Sequence, residues 1–171
     1  TTVVDAGSSG RHNFAEFKKN VIDRARTRVL VFLNIGGAGM PGDANEQNVS
    51  DMDARAAADL AIANRDTIVG IKVAHYRGPD WIPVQRGVEA GSLANIPVMI
   101  DFGEFRPERP FQELVLKKLR PGDIYTHAFY VPVPMLDGKG QLLSHLFEAR
   151  KRGVLFDVGH GGAAFEFRQA V

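Results

Sequence analysis

Ile68-Val-Gly-Ile-Lys72 and Pro97-Val-Met-Ile-Asp101 are short apolar runs that each end on a polar residue. The interval between them reads as a helix. Asp80 stands where a cap belongs, and Trp81, Val84 and Val88 form an apolar stripe, although Pro83, Gly87 and Gly91 weaken it. An apolar run without alternation is what a parallel strand covered on both faces requires, so the stretch predicts strand, helix, parallel strand.

The same unit recurs on both sides. Thr2-Val-Val-Asp5, Val29-Leu-Val-Phe-Leu-Asn34, Asp123-Ile-Tyr-Thr-His127 and Val154-Leu-Phe-Asp157 read as further strands. Their spacing suits repeated units of about 30 residues. Between them, Asn13 with Glu16 predicts a capping box ahead of the stripe Phe14, Phe17, Val21 and Ala25. Ser50 with Asp53 opens an alanine-rich helix running to about Asn64. Pro110 begins a helical stretch through Leu119, and Leu142, Leu146 and Ala149 form the last stripe, closed by Gly153. One α/β unit follows, with right-handed crossovers. Six strands would complete an open doubly wound sheet but not a barrel, which takes about 250 residues.

Composition narrows the function. The 171 residues are 44% hydrophobic and 24% charged, enough for a core and too little charge for disorder. Lys plus Arg is 21 against 20 Asp plus Glu, so no general field draws nucleic acid or anionic membrane. No apolar run has the length of a membrane span, and no signal peptide is expected at the start. With no cysteine, disulfide scaffolds, thiol catalysis and Cys-ligated zinc or iron–sulfur sites are excluded. Neither GxGxxG nor a P-loop occurs, so Gly159, Gly161 and Gly162 do not read as a phosphate cradle. GxSxG and HExxH are also missing.

Asp5, Asn34, Lys72, Asp101, His127 and Asp157 close the six runs. In parallel α/β folds the carboxyl ends of the strands converge on the active site, and such a ring is where chemistry is placed. The bland alternative is that strands stop where polarity returns. Lys72 is the most informative, because an ammonium in an apolar strand is costly unless paired or chemically changed. It reads as an ion-pair partner of Asp101, a Schiff-base nucleophile, or a carboxylated lysine bridging metals. The glycines around His160 permit close approach of a ligand. His12, His75 and His145 read as surface or structural. Arg106 and Arg109 sit in a proline-flanked loop, either meeting a substrate carboxylate or simply solvated. The Gly36–Ser50 loop reads as a lid or a substrate wall.

Taken together, Gly70-Ile-Lys-Val73, Ile96-Pro-Val-Met-Ile-Asp-Phe-Gly103, Leu119-Arg-Pro-Gly-Asp-Ile-Tyr-Thr-His-Ala-Phe129 and Arg152-Gly-Val-Leu-Phe-Asp-Val-Gly-His-Gly161 resemble the amidohydrolase superfamily. The likeness is to its dihydroorotase-like amidohydrolase/deacetylase branch. Thr1-Thr-Val-Val-Asp-Ala-Gly-Ser-Ser-Gly10 is similar to that branch's second barrel strand and loop. The resemblance implies a (β/α)8 TIM-type barrel of which residues 1–171 cover roughly strands 2 to 7, with the first and last strands missing. It implies one or two divalent metals, usually zinc, and hydrolysis of amide, cyclic amide or ester bonds. By position, Lys72 matches the lysine that is carboxylated and bridges two metals. His127 matches a histidine ligand, and His160 matches a histidine near the substrate.

Asp101 stands where many relatives carry a histidine ligand; a carboxylate is also a competent zinc ligand, so Asp101 either takes that place in the metal site or binds no metal. The family's first-strand His-x-His pair and eighth-strand aspartate are not in the sequence. The expectation is therefore the interior part of a longer polypeptide, or its only ordered part, acting on a small-molecule substrate. Partners include no nucleic acid or membrane, a homo-oligomer is compatible, and a cytoplasmic setting is favoured. Two rival readings stand beside the hydrolase: a class I aldolase-type lyase using Lys72 as an imine-forming amine, and a non-catalytic binding or assembly fragment.

Overall fold

The computed structural model describes residues 1–101 and 103–161, so Phe102 and Gly162 of the sequence motifs lie outside the described residues. Among the described residues six strands form, all parallel: β1 (Thr2–Asp5), β2 (Arg28–Asn34), β3 (Ile68–Val73), β4 (Val98–Ile100), β5 (Ile124–Tyr125) and β6 (Leu155–Phe156). Each arises from an expected run, although β5 and β6 are cut to two residues. Their order in the sheet is their order in the chain. A doubly wound sheet reverses its strand order at a switch point, and this one does not. Sequential order throughout is the arrangement of a barrel wall, here a curled arc of six strands.

The helices are α1 (Phe14–Asn20), α2 (Asp43–Gln47), α3 (Ala54–Ala63), α4 (Ile82–Ala94), α5 (Phe111–Glu113) and α6 (Ser144–Lys151). Asp53 caps α3 as expected, accepting from the Ala56 amide at 3.0 Å. The Asn13 box does not form. Its Oδ1 accepts from the Gly10 amide and its Nδ2 donates to the Ala38 carbonyl, so the side chain stitches two loops instead. Nor does the first stripe continue, since α1 ends before Val21, which is exposed. The stretch after Pro110 is one α-turn followed by a π-type turn over Leu114–Lys118.

Val31, Leu33, Ile68, Ile71, Val73, Val98 and Ile100 are buried under Ala54, Ala57, Ala58 and Ala61 of α3 and Val84, Ala90 and Ala94 of α4. The alanines let the α3 backbone approach the strands, and glycine does the same for α4. A Cβ built at Gly87 falls 2.4 Å from Cγ2 of Val73. Gly87→Ala should therefore lower stability by about 1–2 kcal/mol, because overpacking against a β-branched strand residue outweighs the roughly 1 kcal/mol gained in helix propensity. Urea unfolding checks this; a neutral or stabilised variant refutes it.

Apolar side chains are left exposed at both edges of the arc, Val3 and Val4 on β1 and Leu155 on β6. Unpaired parallel edges are what full barrel closure removes. Among the described residues no helix is long and apolar enough to cross a membrane.

Candidate active site

Because all six strands run the same way, their polar last residues gather at one end of the sheet. Two of the six serve the loops. Asp5 accepts from the amides of Gly7 and Ser8. Asn34 donates to the Gly7 carbonyl and accepts from the Gly36 amide. The other four are Lys72, Asp101, His127 and Asp157.

Lys72 is 3% exposed and in register with Asn34 on β2 and Met99 on β4. Its stem lies against Gly7, where a Cβ would fall 2.6 Å from Lys72 Cγ. Burial lowers its pKa, opposed by the charges of Asp101, Asp157 and Glu46. The amine is thus pushed toward neutrality while surrounded by carboxylates.

Asp101, just past β4, receives two imidazoles on one oxygen. His127 Nε2 lies 3.3 Å from Oδ2, and His75 Nε2 lies 2.9 Å from the same atom. Burial alone would raise the Asp101 pKa; the hydrogen bonds from His127 and His75 and the charge of Lys72 outweigh it and hold the carboxyl far below the usual range. Glu46 of α2, itself 5% exposed, grips His75 Nδ1 with both oxygens at 2.9 and 3.0 Å. His75 is pushed up to about 9, chiefly by its hydrogen bond to Asp101. Asp157 accepts from the Thr126 hydroxyl at 2.6 Å, next to His127.

Backbone strain marks the same place. Among the described residues, positive φ outside glycine occurs at His75, Asn95, His127 and His160. Three of these four follow β3, β5 and β6, and such conformations cluster at functional sites.

His75 is exposed, as the reading of it as surface or structural expects, but its ring is held between Asp101 and Glu46, and Glu46 was not singled out at all. Sequence offered one clue, that His75 lies three residues after Lys72 at a strand end. His160 is exposed on the last loop. The flanking glycines make room for His127 rather than only for a ligand: a Cβ at Gly159 would fall 2.7 Å from His127 N and Nδ1. Arg109 is neither solvated nor substrate-facing. It is 1% exposed, donates to the carbonyls of Tyr76 and Glu104 at 3.0 and 2.9 Å, and lies over the Tyr76 ring. Arg106 pairs with Glu104. His12 meets Asp51 on the surface, and His145 is buried beside Phe111.

A cleft of about 570 Å³ opens beside the cluster, lined by His75, Arg77, Gly103, Glu104, Phe105, Tyr130 and Pro132. The Gly36–Ser50 loop is a fastened wall rather than a lid. Besides Glu46, Gln47 donates to the His75 carbonyl and accepts from the Arg77 amide.

Among the described residues, no three His, Cys, Asp or Glu side chains already have the arrangement of a metal site. The donor chemistry nonetheless suits a divalent ion. Two imidazole nitrogens converge on a carboxylate oxygen, and a buried amine driven toward its neutral form lies near them.

No family model matches the chain. A deacetylase of Brucella anthropi is 34% identical over 99% of this chain and 44% of its own length. A deacetylase of Agrobacterium fabrum is also 34% identical, over 43% of its length. The chain thus spans less than half the length of these curated relatives. Among solved structures, an adenine deaminase superposes with a TM-score of 0.88 at 28% identity, covering 99% of this chain and 47% of that one. A dihydroorotase superposes with a TM-score of 0.81 at 32% identity, covering 99% and 48%. The six-strand arc, the polar cluster at its carboxyl end and these relatives place the chain in the amidohydrolase superfamily.

Proposed function

We propose that the protein hydrolyses C–N bonds of small amide or cyclic amide substrates, with related esters as a further class, using one or two divalent metals at the strand-end cluster, zinc being the ion its donors suit. The observation that carries this is the buried amine of Lys72 at the same strand ends as Asp101 and His127. Support comes also from the relatives, since adenine deamination and the dihydroorotase reaction break C–N bonds and deacetylation breaks an acyl C–N or C–O bond. In this reading the arc is the interior part of a full barrel.

In its neutral form Lys72 Nζ would attack carbon dioxide; an N–C bond forms, a proton leaves to water, and the carbamate presents two oxygens. Burial favours this by disfavouring the ammonium. His127 offers Nε2, its ring packed by Gly159 and Gly161. Asp101 offers a carboxylate oxygen, and His160, exposed on the loop after β6, is given the place near the substrate that the family likeness implies. When bound, the metal supplies Lewis acidity toward the scissile carbonyl and toward water. The cleft beside His75 holds the substrate, with Phe105 and Tyr130 as its aromatic wall.

Metal analysis of the full-length protein, with hydrolysis assayed on N-acetylated amines and cyclic amides, tests the proposal. Chelation should lower turnover at least about 10-fold, and zinc should restore it. A metal-free wild type that keeps its rate refutes it, and borohydride trapping of substrate on Lys72 would move the reading to a lyase.

A further inference from the structure

We infer that His75 is a protein donor of the metal site, joining Asp101 and His127 through its Nε2, and that Glu46 is the residue that positions it. This rests on the metal-dependent reading above.

Three observations carry it. First, the two Nε2 atoms arrive from different loops, one after β3 and one after β5, yet meet the same oxygen of Asp101 at 2.9 and 3.3 Å. Ligand bonds of about 2.0–2.2 Å at tetrahedral angles put donor atoms roughly 3.4 Å apart, close to these separations. As they stand, shared hydrogens hold the donors together as an ion-pair chain. A bound ion takes the place of those hydrogens, and the imidazole protons leave to solvent.

Second, Glu46 holds the far side of the ring. A carboxylate on Nδ1 fixes the tautomer and orientation that leave Nε2 as the donor, the arrangement by which an outer partner orients a metal-ligating histidine. Burying Glu46 to 5% exposure is costly for a bond to a histidine that only decorates a surface. Gln47 adds two more fastenings, to the His75 carbonyl and the Arg77 amide.

Third, the His75 backbone is held at φ +49, in the left-handed region where strain costs about 1–3 kcal/mol. Close packing keeps it there, for a Cβ at Gly103 would fall 2.6 Å from the His75 carbonyl carbon. His127 is held at φ +61. Two strained histidines are thus aimed at one carboxylate.

Cobalt(II) titration of the metal-free full-length protein, followed by visible absorption of the bound ion and by equilibrium dialysis, tests the assignment. His75→Ala should weaken cobalt binding at least about 10-fold and change the visible band, and Glu46→Gln should weaken it about 10-fold or more. His12→Ala, which removes an exposed imidazole paired with Asp51, should bind as the wild type does. A His75→Ala protein with wild-type affinity and an unchanged spectrum overturns the inference while leaving the metal reading intact. A wild type that binds no cobalt overturns both. Should His75→Ala fail to fold, the hyperfine-shifted imidazole N–H signals of cobalt-loaded wild type and Glu46→Gln are compared. A signal that moves supports His75 as a donor, and an unchanged set overturns it.

Discussion

Lys72→Met is expected to remove hydrolysis, on the order of 10³-fold in turnover, while leaving the fold as stable as before or more so. The two effects have one origin. An amine that is 3% exposed on an interior strand has lost its hydration, and the neighbouring Asp101, Asp157 and Glu46 restore only part of it. Replacing a buried charge by an apolar chain of similar length is commonly neutral or stabilising by about 1–4 kcal/mol. Asp101 keeps His75 and His127 as partners, so the substitution strands no carboxylate there. Urea unfolding in chelator gives the stability, and turnover with saturating zinc gives the activity. A variant within threefold of wild-type turnover would remove Lys72 from the chemistry. One that keeps zinc but loses turnover would place the amine at the substrate.

How much of this was legible in the sequence follows from which interactions are local. The strands show in the sequence because a buried parallel strand must be apolar along its whole length. The Asp53 cap shows because donor and acceptor lie three residues apart. Strand order did not show, since it is set by which edge each new strand joins. The Asn13 cap failed for a related reason, its side chain finding the Ala38 carbonyl across the fold. Lys72, Asp101 and His127 were singled out because each ends an apolar run. His75 stood three residues beyond the polar end of its run, and its backbone there is left-handed where its ring meets Asp101. Glu46 lay in a loop rich in Gly, Asp and Asn, where a charged side chain is ordinarily solvated. Arg109 was hidden likewise, because its partners are backbone carbonyls, and composition says nothing of these.

Asp123→Ala is expected to cost about 3 kcal/mol and to loosen the site from a distance. Asp123 is 0% exposed, and its carboxylate accepts the Val98 amide at 2.9 Å, the Arg120 amide at 2.8 Å, and the Arg120 guanidinium at 2.7 and 3.0 Å. Removing it strands a buried backbone N–H, which costs roughly 1–3 kcal/mol, and deprives a half-covered guanidinium of its counter-charge. Against a total of about 5–15 kcal/mol this is a large fraction. The position matters more than the sum. β4 is three residues long and β5 two, so their ladder is too short to fix register alone. Val98 opens β4 and Asp123 stands just before β5, so this carboxylate clamps the strands that carry Asp101 and His127 at their far ends. Amide exchange at Thr126, which donates to the Ile100 carbonyl beyond the clamp, should therefore accelerate along with the drop in stability. Asp123→Asn, which keeps one acceptor oxygen, should fall between the two. An Asp123→Ala protein that is destabilised while Thr126 stays fully protected would show that the sheet holds its register without the clamp, and that the spacing of Asp101 and His127 is set at the site itself.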